Sequence, residues 1–244
     1  MHDNGVVVQQ IQDHVRILTD IFAKSINLLV VDDYAEMGNV IVELFSSPLF
    51  NSTLAFSAGE ARGIIPKTDR WHCWVLDIAM EEEESGLQLL NENHHFPFVV
   101  MLSGIRSMNI ASRAMQLGAF KVFDKDPQLF PTLHEDVCSL AALAYILKGT
   151  GTKYLSLFNH LTLSTISSTE TWANKACLTV RQLERICSLH THLTPRFIPS
   201  LFYTLRLLLR LDASRSIPPS LQSDLPLRQH MEFVVKHIET IVRN

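Results

Sequence analysis

The chain reads as an α/β sheet domain followed by an all-α region, and three observations carry that reading. Five short apolar runs alternate with helix-periodic segments, which is the pattern of parallel βα units. Four of those runs end on chemistry: Asp32-Asp33 after Leu28–Val31, Asp77 after Trp74–Leu76, Ser103 after Val99–Leu102, and Lys125 after Phe120–Asp124. Beyond Thr152 no strand-like alternation remains and only helical periodicity is left.

Taken in order, residues 6–23 form an amphipathic helix, with Ile11, Val15, Leu18 and Phe22 at i, i+4, i+7 and i+11. It serves either as a dimerisation element or as packing for its own domain. Strands follow near 27–31, 52–56, 72–76, 97–102 and 120–124. Helices are expected over 34–46, 58–65, 86–93, 106–117 and 129–147, with Gly118 as a C′ cap. The run Lys148-Gly149-Thr150-Gly151-Thr152 is the linker between a domain over 26–147 and an all-α domain over 153–244, with 1–25 as an extension. Helices in the second part are expected near 153–162, 168–176, 179–189, 195–212 and 226–242, with a Ser/Pro-rich loop from Ser214 to Asp224.

Composition bounds the function classes. With 47% hydrophobic residues and nine glycines in 244 residues the chain is globular. No apolar stretch reaches the ~18 residues of a membrane span. The N-terminus lacks the basic start of a signal peptide, so a cytoplasmic protein is expected. Cys73, Cys138, Cys177 and Cys187 are scattered, which favours free thiols over a metal or disulfide site. His94, His95, His190 and His192 lack partners at ligand spacing and read as solvated or packed imidazoles. The net charge of −4 divides unevenly: residues 1–150 hold 10 basic and 19 acidic groups, hence −9, and residues 151–244 hold 11 and 6, hence +5. An acidic module is joined to one that tolerates or seeks polyanions.

Residues just past the strand ends of a parallel sheet converge in one crevice. Three carboxylates, a hydroxyl and an ammonium gathered there suit a divalent cation and a phosphoryl group. Mg²⁺ takes hard oxygen ligands; Asp33 and Asp77 can ligate directly and Asp32 through water. A carboxylate can also accept a phosphoryl group as an aspartyl-phosphate. Lys125 and the Ser103 hydroxyl would then face the non-bridging oxygens. Singly, an Asp-Asp pair is a helix cap, a Ser-Gly a loop and a Lys a solvated end; in order at successive strand ends they are a site.

With these residues in place, the stretches Leu29–Asp33, Val75–Met80 with Gly86, Leu102-Ser103-Gly104 and Gly118–Lys125 resemble the receiver domain of two-component response regulators, over about residues 26–147. The resemblance implies a flavodoxin-like five-stranded parallel sheet of order 2-1-3-4-5. It also implies phosphorylation of Asp77 by a sensor histidine kinase, with Mg²⁺ at Asp32, Asp33, Asp77 and the Ala79 carbonyl. Four features depart from the family. Glu81-Glu82-Glu83-Glu84 follows Met80 in place of Pro, as either a solvated loop or a brake on anionic phosphodonors. Asp126 follows Lys125 where many members have Pro, so the cis bond there is not expected. Val122 stands where the family often places an aromatic residue, with Phe123 on the opposite side of the strand. The helix over 6–23 is an addition.

In the second part, the run from Trp172 to Ile186 places a helix end near Ala176, a short turn, and Thr179 as N-cap of a second helix. Leu183 and Ile186 would face inward and Arg181, Gln182, Glu184 and Arg185 outward. With Leu193-Thr194-Pro195, Tyr203 and Arg206-Leu207, this stretch resembles the AraC-type helix-turn-helix family over about 170–210. That resemblance implies sequence-specific DNA binding with Arg181, Glu184 and Arg185 as groove contacts. Cys177 and His192 stand where glycine is common, and residues 211–244 show no second motif of the kind that family carries in pairs. A single module needs a homodimer, at least when phosphorylated. The stripe Met231, Val234, Val235, Ile238, Ile241 and Val242 is either intradomain packing or the seam of that dimer. Leu205–Leu211 reads as core. The leading expectation is a response regulator controlling transcription through phosphorylation-dependent DNA binding. The alternative is a receiver-containing adaptor whose helical part contacts another protein. An independent enzyme is not expected, because the second half holds no carboxylate pair, nucleophile–histidine pattern or Gly-rich phosphate loop.

Overall fold

The computed structural model describes residues 3–67, 71–80, 84–93, 98–104, 107–147, 157, 166, 168–191, 193–214 and 225–243. Five strands, β1 (Ile26–Val31), β2 (Phe50–Ala55), β3 (Cys73–Asp77), β4 (Phe98–Ser103) and β5 (Lys121–Asp124), form one sheet. All neighbours are parallel, in the order β2-β1-β3-β4-β5. The chain first winds from β1 to β2 and then returns to place β3 on the other side of β1. A crevice opens at such a reversal, at the carboxyl ends of β1 and β3.

Side chains of alternating parity feed two separate cores, as pleated strands require. Leu28 and Val30 of β1, Val75 of β3, and Phe98, Val100 and Leu102 of β4 face one core. Leu29, Val31, Trp74, Leu76, Val99 and Met101 face the other. The second core is closed by α3 (Ala58–Ile64), α4 (Ser85–Glu92) and α5 (Met108–Gln116). Gly118 ends α5 as expected, at φ 101°: its N–H donates to Met115 O and that of Ala119 to Ala114 O, the paired bonds of a glycine-capped helix end.

The first core is the larger. It is closed by α2 (Ala35–Leu44) and α6 (Phe130–Ile146), and then by a further helical layer drawn from both ends of the chain. That layer comprises α1 (Asp3–Phe22), α7 (Thr169–Lys175), α8 (Val180–Thr191), α9 (Phe197–Ser214) and α10 (Leu225–Arg243). Helix α9 lies along α6, while α1 packs on α9 and α10. Helix α6 is accordingly covered on nearly every side: Leu133, Asp136, Val137, Cys138, Ser139, Leu140, Ala141, Ala142, Leu143 and Ile146 are all buried.

This layer decides two of the open readings. Val7, Ile11, Leu18 and Phe22 of α1 are buried in the chain's own core. So are Met231, Val234, Val235 and Ile238 of α10, which leaves that stripe packed internally instead of free as a seam. Leu205, Leu208 and Leu209 are core residues, as predicted. No described helix is long and apolar enough to cross a membrane. The linker expected over 148–152, the helix over 153–162, Glu81–Glu83, His94, His95, His192 and the loop beyond Ser214 lie outside the described residues.

Candidate functional site

The crevice is assembled by four strand ends and the turns that leave them. Asp32 follows β1 with no exposed surface, and its Oδ1 accepts the Tyr34 N–H at 3.0 Å as the chain turns into α2. Asp77 is the last residue of β3, 3% exposed, and its Oδ1 accepts the Ala79 N–H at 3.3 Å. Gly86 fixes the far wall. Its N–H donates to Ile78 O at 3.1 Å, and a Cβ at this position would lie 1.8 Å from the Asp77 carbonyl oxygen. Only glycine lets α4 begin this close to the backbone of the buried aspartate. Ser103 closes β4 and is buried; its carbonyl accepts the Lys125 backbone N–H at 2.8 Å. The Lys125 side chain then crosses the crevice, with Nζ 2.7 Å from Asp77 Oδ2 and 2.8 Å from Asp32 Oδ2.

The structure thus brings together Asp32, Asp33, Asp77 and Lys125, with Ser103 and Ala79 on adjoining backbone. Negative charge is in surplus. Burial pushes the Asp77 carboxyl from its ordinary 3.8 up to about 6, against the opposing pull of the Lys125 hydrogen bond and charge. Burial works to lower the Lys125 ammonium, but its bonds to Asp32 and Asp77 outweigh it, and the group is held above its ordinary value. Carboxylate oxygens of Asp32, exposed Asp33 and buried Asp77 all lie within 4.8 Å of one another. Three hard oxygen donors sharing a single ammonium fit a divalent cation of the Mg²⁺ kind, which prefers carboxylates and retains waters.

The other expected positions are placed as follows. Val122 is half-buried against the core under α5, and Phe123 is buried in the opposite core, so the two do face opposite sides of β5. Among the described residues no peptide bond is cis, that of Lys125–Asp126 included. In the helical layer, Arg181, Glu184 and Arg185 lie exposed on α8, while Leu183 is buried and Ile186 half-buried. Thr179 caps α8 reciprocally with Gln182: the Gln182 N–H donates to Thr179 Oγ1 at 3.2 Å, and the Thr179 N–H to Gln182 Oε1 at 2.9 Å. Cys177 takes the left-handed conformation that glycine would favour, at φ 54°.

One charged cluster lay outside every sequence-based expectation. Asp136 of α6 is fully buried and pairs with Lys121 of β5 and Arg206 of α9. A carboxylate at the head of the mostly apolar stretch Val137–Ile146 was the available signal; its partners, 15 and 70 positions away, had none.

The family model described as the response regulator receiver domain matches residues 28–135. Among solved structures, the receiver domain of a Francisella response regulator is similar at 25% identity and a TM-score of 0.41, covering 49% of this chain and 95% of that one. A CheY-like receiver domain protein from Methanospirillum hungatei follows at 22% and 0.41, covering 46% and 90%. A response regulator from Thermotoga maritima, solved with Mg²⁺ and beryllofluoride, stands at 19% and 0.41, covering 47% and 98%. No curated protein matches the chain. The family match spans every residue of the crevice, from Asp32 to Lys125, and it identifies residues 28–135 as a response regulator receiver domain.

Proposed function

We propose that this chain is a response regulator in which a sensor histidine kinase phosphorylates Asp77 and the helical layer delivers the output by binding DNA. The observation that carries the input half is the Lys125 ammonium bridging two buried carboxylates at 2.7 and 2.8 Å. A carboxylate oxygen of Asp77 attacks the phosphorus of a phosphohistidine; the P–N bond breaks and its electron pair returns to the imidazole. Lys125 is already within reach of Asp77 and takes up charge on the non-bridging oxygens, with the Ser103 hydroxyl as a further donor. The Ala79 N–H holds the second Asp77 oxygen in place. Mg²⁺ held by Asp32, Asp33, Asp77 and the Ala79 carbonyl would supply further positive charge at the transferred group.

For the output, the capped α8 with Arg181, Glu184 and Arg185 on its exposed face supports groove contacts of the helix-turn-helix kind, with a homodimer on DNA. A second reading rests on a different feature of the same face. Leu189 is 62% exposed on α8, and the same helix contributes Glu184 and Ser188 to an open cavity of about 290 Å³ completed by Leu193, Thr194 and Pro195. An apolar, partly acidic groove suits a protein partner, as an adaptor would need. Selection from a random DNA pool, with and without Mg²⁺ and beryllofluoride, separates the two. The regulator reading expects defined sequences to be enriched, and Arg181→Ala with Arg185→Ala to weaken their binding by more than about tenfold. Enrichment of no sequence in either condition decides for the adaptor.

A further inference from the structure

Asp136 has no exposed surface; its Oδ2 accepts a hydrogen bond from Lys121 of the strand, while its Oδ1, without a hydrogen bond of its own, lies at ion-pair distance from Arg206 of the helical layer. Lys121 Nζ of β5 lies 2.6 Å from Oδ2, and Arg206 Nη2 of α9 lies 3.1 Å from Oδ1. Arg206 Nε also approaches Glu135 at 3.9 Å, and the Lys121 ammonium rests over the Phe123 ring, 4.5 Å from its centroid. A buried carboxylate is tolerated only while its partners stay in place. The position of β5 and the position of α9 are therefore tied through one side chain.

The same strand reaches the crevice. β5 is four residues long, and Lys125, immediately past its end, is the residue bonded to Asp77 and Asp32. β5 is also one of the two edge strands, held by β4 alone over four paired residues against the six that pair β2 with β1, so fewer backbone bonds fix it in the sheet. Lys121 and Lys125 are separated by about 13 Å of extended chain, with no flexible segment between them.

We propose that the Lys121–Asp136–Arg206 cluster is a clamp through which the phosphoryl site controls the helical layer; the proposal rests on the phosphoryl reading above. With Asp77 unmodified, Lys125 is engaged by Asp77 and Asp32, β5 lies where Lys121 meets Asp136, and Arg206 holds α9 down on α6. A phosphoryl group on Asp77 takes Lys125 as its counter-ion and displaces β5. Lys121 then draws away from Asp136, and the hold on α9 loosens. Coupling is reciprocal, so opening the clamp from the helical side must ease occupancy of the crevice.

The test uses the full chain, titrated with beryllofluoride in Mg²⁺ and followed by tryptophan fluorescence, with hydrogen exchange of the α9 amides read in parallel. In the unsubstituted protein, saturation with the mimic is expected to speed α9 exchange by about fivefold or more. Arg206→Gln should show fast α9 exchange before any mimic is added and bind the mimic about fivefold more tightly. Arg206→Lys should return both readings toward the starting protein. Lys121→Met opens the clamp from the strand side and should reproduce the tighter binding, which keeps the test decisive if Arg206→Gln does not fold. Mimic binding at unchanged affinity in these variants, with α9 exchange indifferent to the mimic, overturns the clamp and leaves the phosphoryl site standing. Failure of the unsubstituted protein to bind the mimic removes the phosphoryl reading, and the clamp with it.

Discussion

Two buried charge clusters share strand β5 and are built on opposite principles. At the carboxyl end of the sheet, Asp32, Asp33 and Asp77 face one ammonium, Lys125, and the surplus negative charge is held in a crevice between strand ends. On the α6 side, Asp136 and the nearby Glu135 face two cations, Lys121 and Arg206, and the charges balance. A balanced buried cluster holds elements together; a cluster with surplus charge is poised for a ligand that supplies the missing charge. The receiver end therefore stores a need for a cation, whereas the seam with the helical layer has its charge needs met within the chain.

The sharpest way to break this contrast is one substitution made in both clusters. Asp136→Asn leaves Lys121 and Arg206 facing a neutral amide in a buried seam. Both cations are about a third exposed and can turn toward water, so a loss of about 2 kcal/mol is expected, below the usual cost of breaking a fully buried pair. Asp77→Asn removes one of the surplus charges, and a gain of about 1 kcal/mol is expected, with Asp32 left to pair Lys125. Urea denaturation of both variants at pH 7 without divalent ions measures this. Changes of the same sign would mean that the two clusters do not differ as described.

A smaller effect follows from pH. Because burial raises the Asp77 carboxyl from 3.8 to about 6, the folded chain keeps a proton there between about pH 4 and 6 that the unfolded chain has shed. The contribution of Asp77 to stability therefore falls as pH rises through that window, the reverse of a carboxylate whose folded value is depressed. Solvent at the open crevice screens part of the ~3 kcal/mol that the full shift represents, so a change of about 1–2 kcal/mol is expected, and it should vanish in Asp77→Asn. Labelling by acetyl phosphate should decline as pH drops below about 6, since only the carboxylate attacks. Added Mg²⁺ favours the ionised form and should move both transitions to lower pH. Stability profiles that coincide with and without Asp77 would leave the crevice without its charge surplus.

The two clusters also differ in how far they could be read from the sequence, and the reason is physical. Asp32, Asp77, Ser103 and Lys125 each stand immediately past an apolar run, so strand periodicity alone places them together once the sheet is parallel. Asp136 depends on residues 15 and 70 positions away, a relation no local pattern encodes. A partial sign was present: from Val137 to Ile146 α6 has no polar face, only Ser139 and Tyr145 interrupting aliphatic, alanine and cysteine residues, and a helix apolar all round is covered all round. The charge asymmetry between the halves takes on a different sense as well. Part of the positive surplus of the second half is spent on Glu135 and Asp136 of the first, inside the seam, rather than displayed to a polyanion.

The smallest of the expected effects compares one helix end from each region. Helix α5 and helix α7 both stop with the same pair of bonds: Gly118 N–H to Met115 O with Ala119 N–H to Ala114 O, and Cys177 N–H to Asn174 O with Leu178 N–H to Ala173 O. The receiver places glycine at the left-handed position, φ 101°, and the helical layer places cysteine there, φ 54°. A side chain in that region costs about 1–2 kcal/mol, while glycine gives back about 0.5–1 kcal/mol through the extra freedom of the unfolded chain. Cys177→Gly is therefore expected to stabilise the chain by about 0.5–1 kcal/mol, read as a higher urea midpoint with an unchanged slope. Because Cys177 is exposed, the substitution removes no packing that could offset the gain. A lower midpoint would show that the thiol, and not the backbone bonds, holds the turn between α7 and α8.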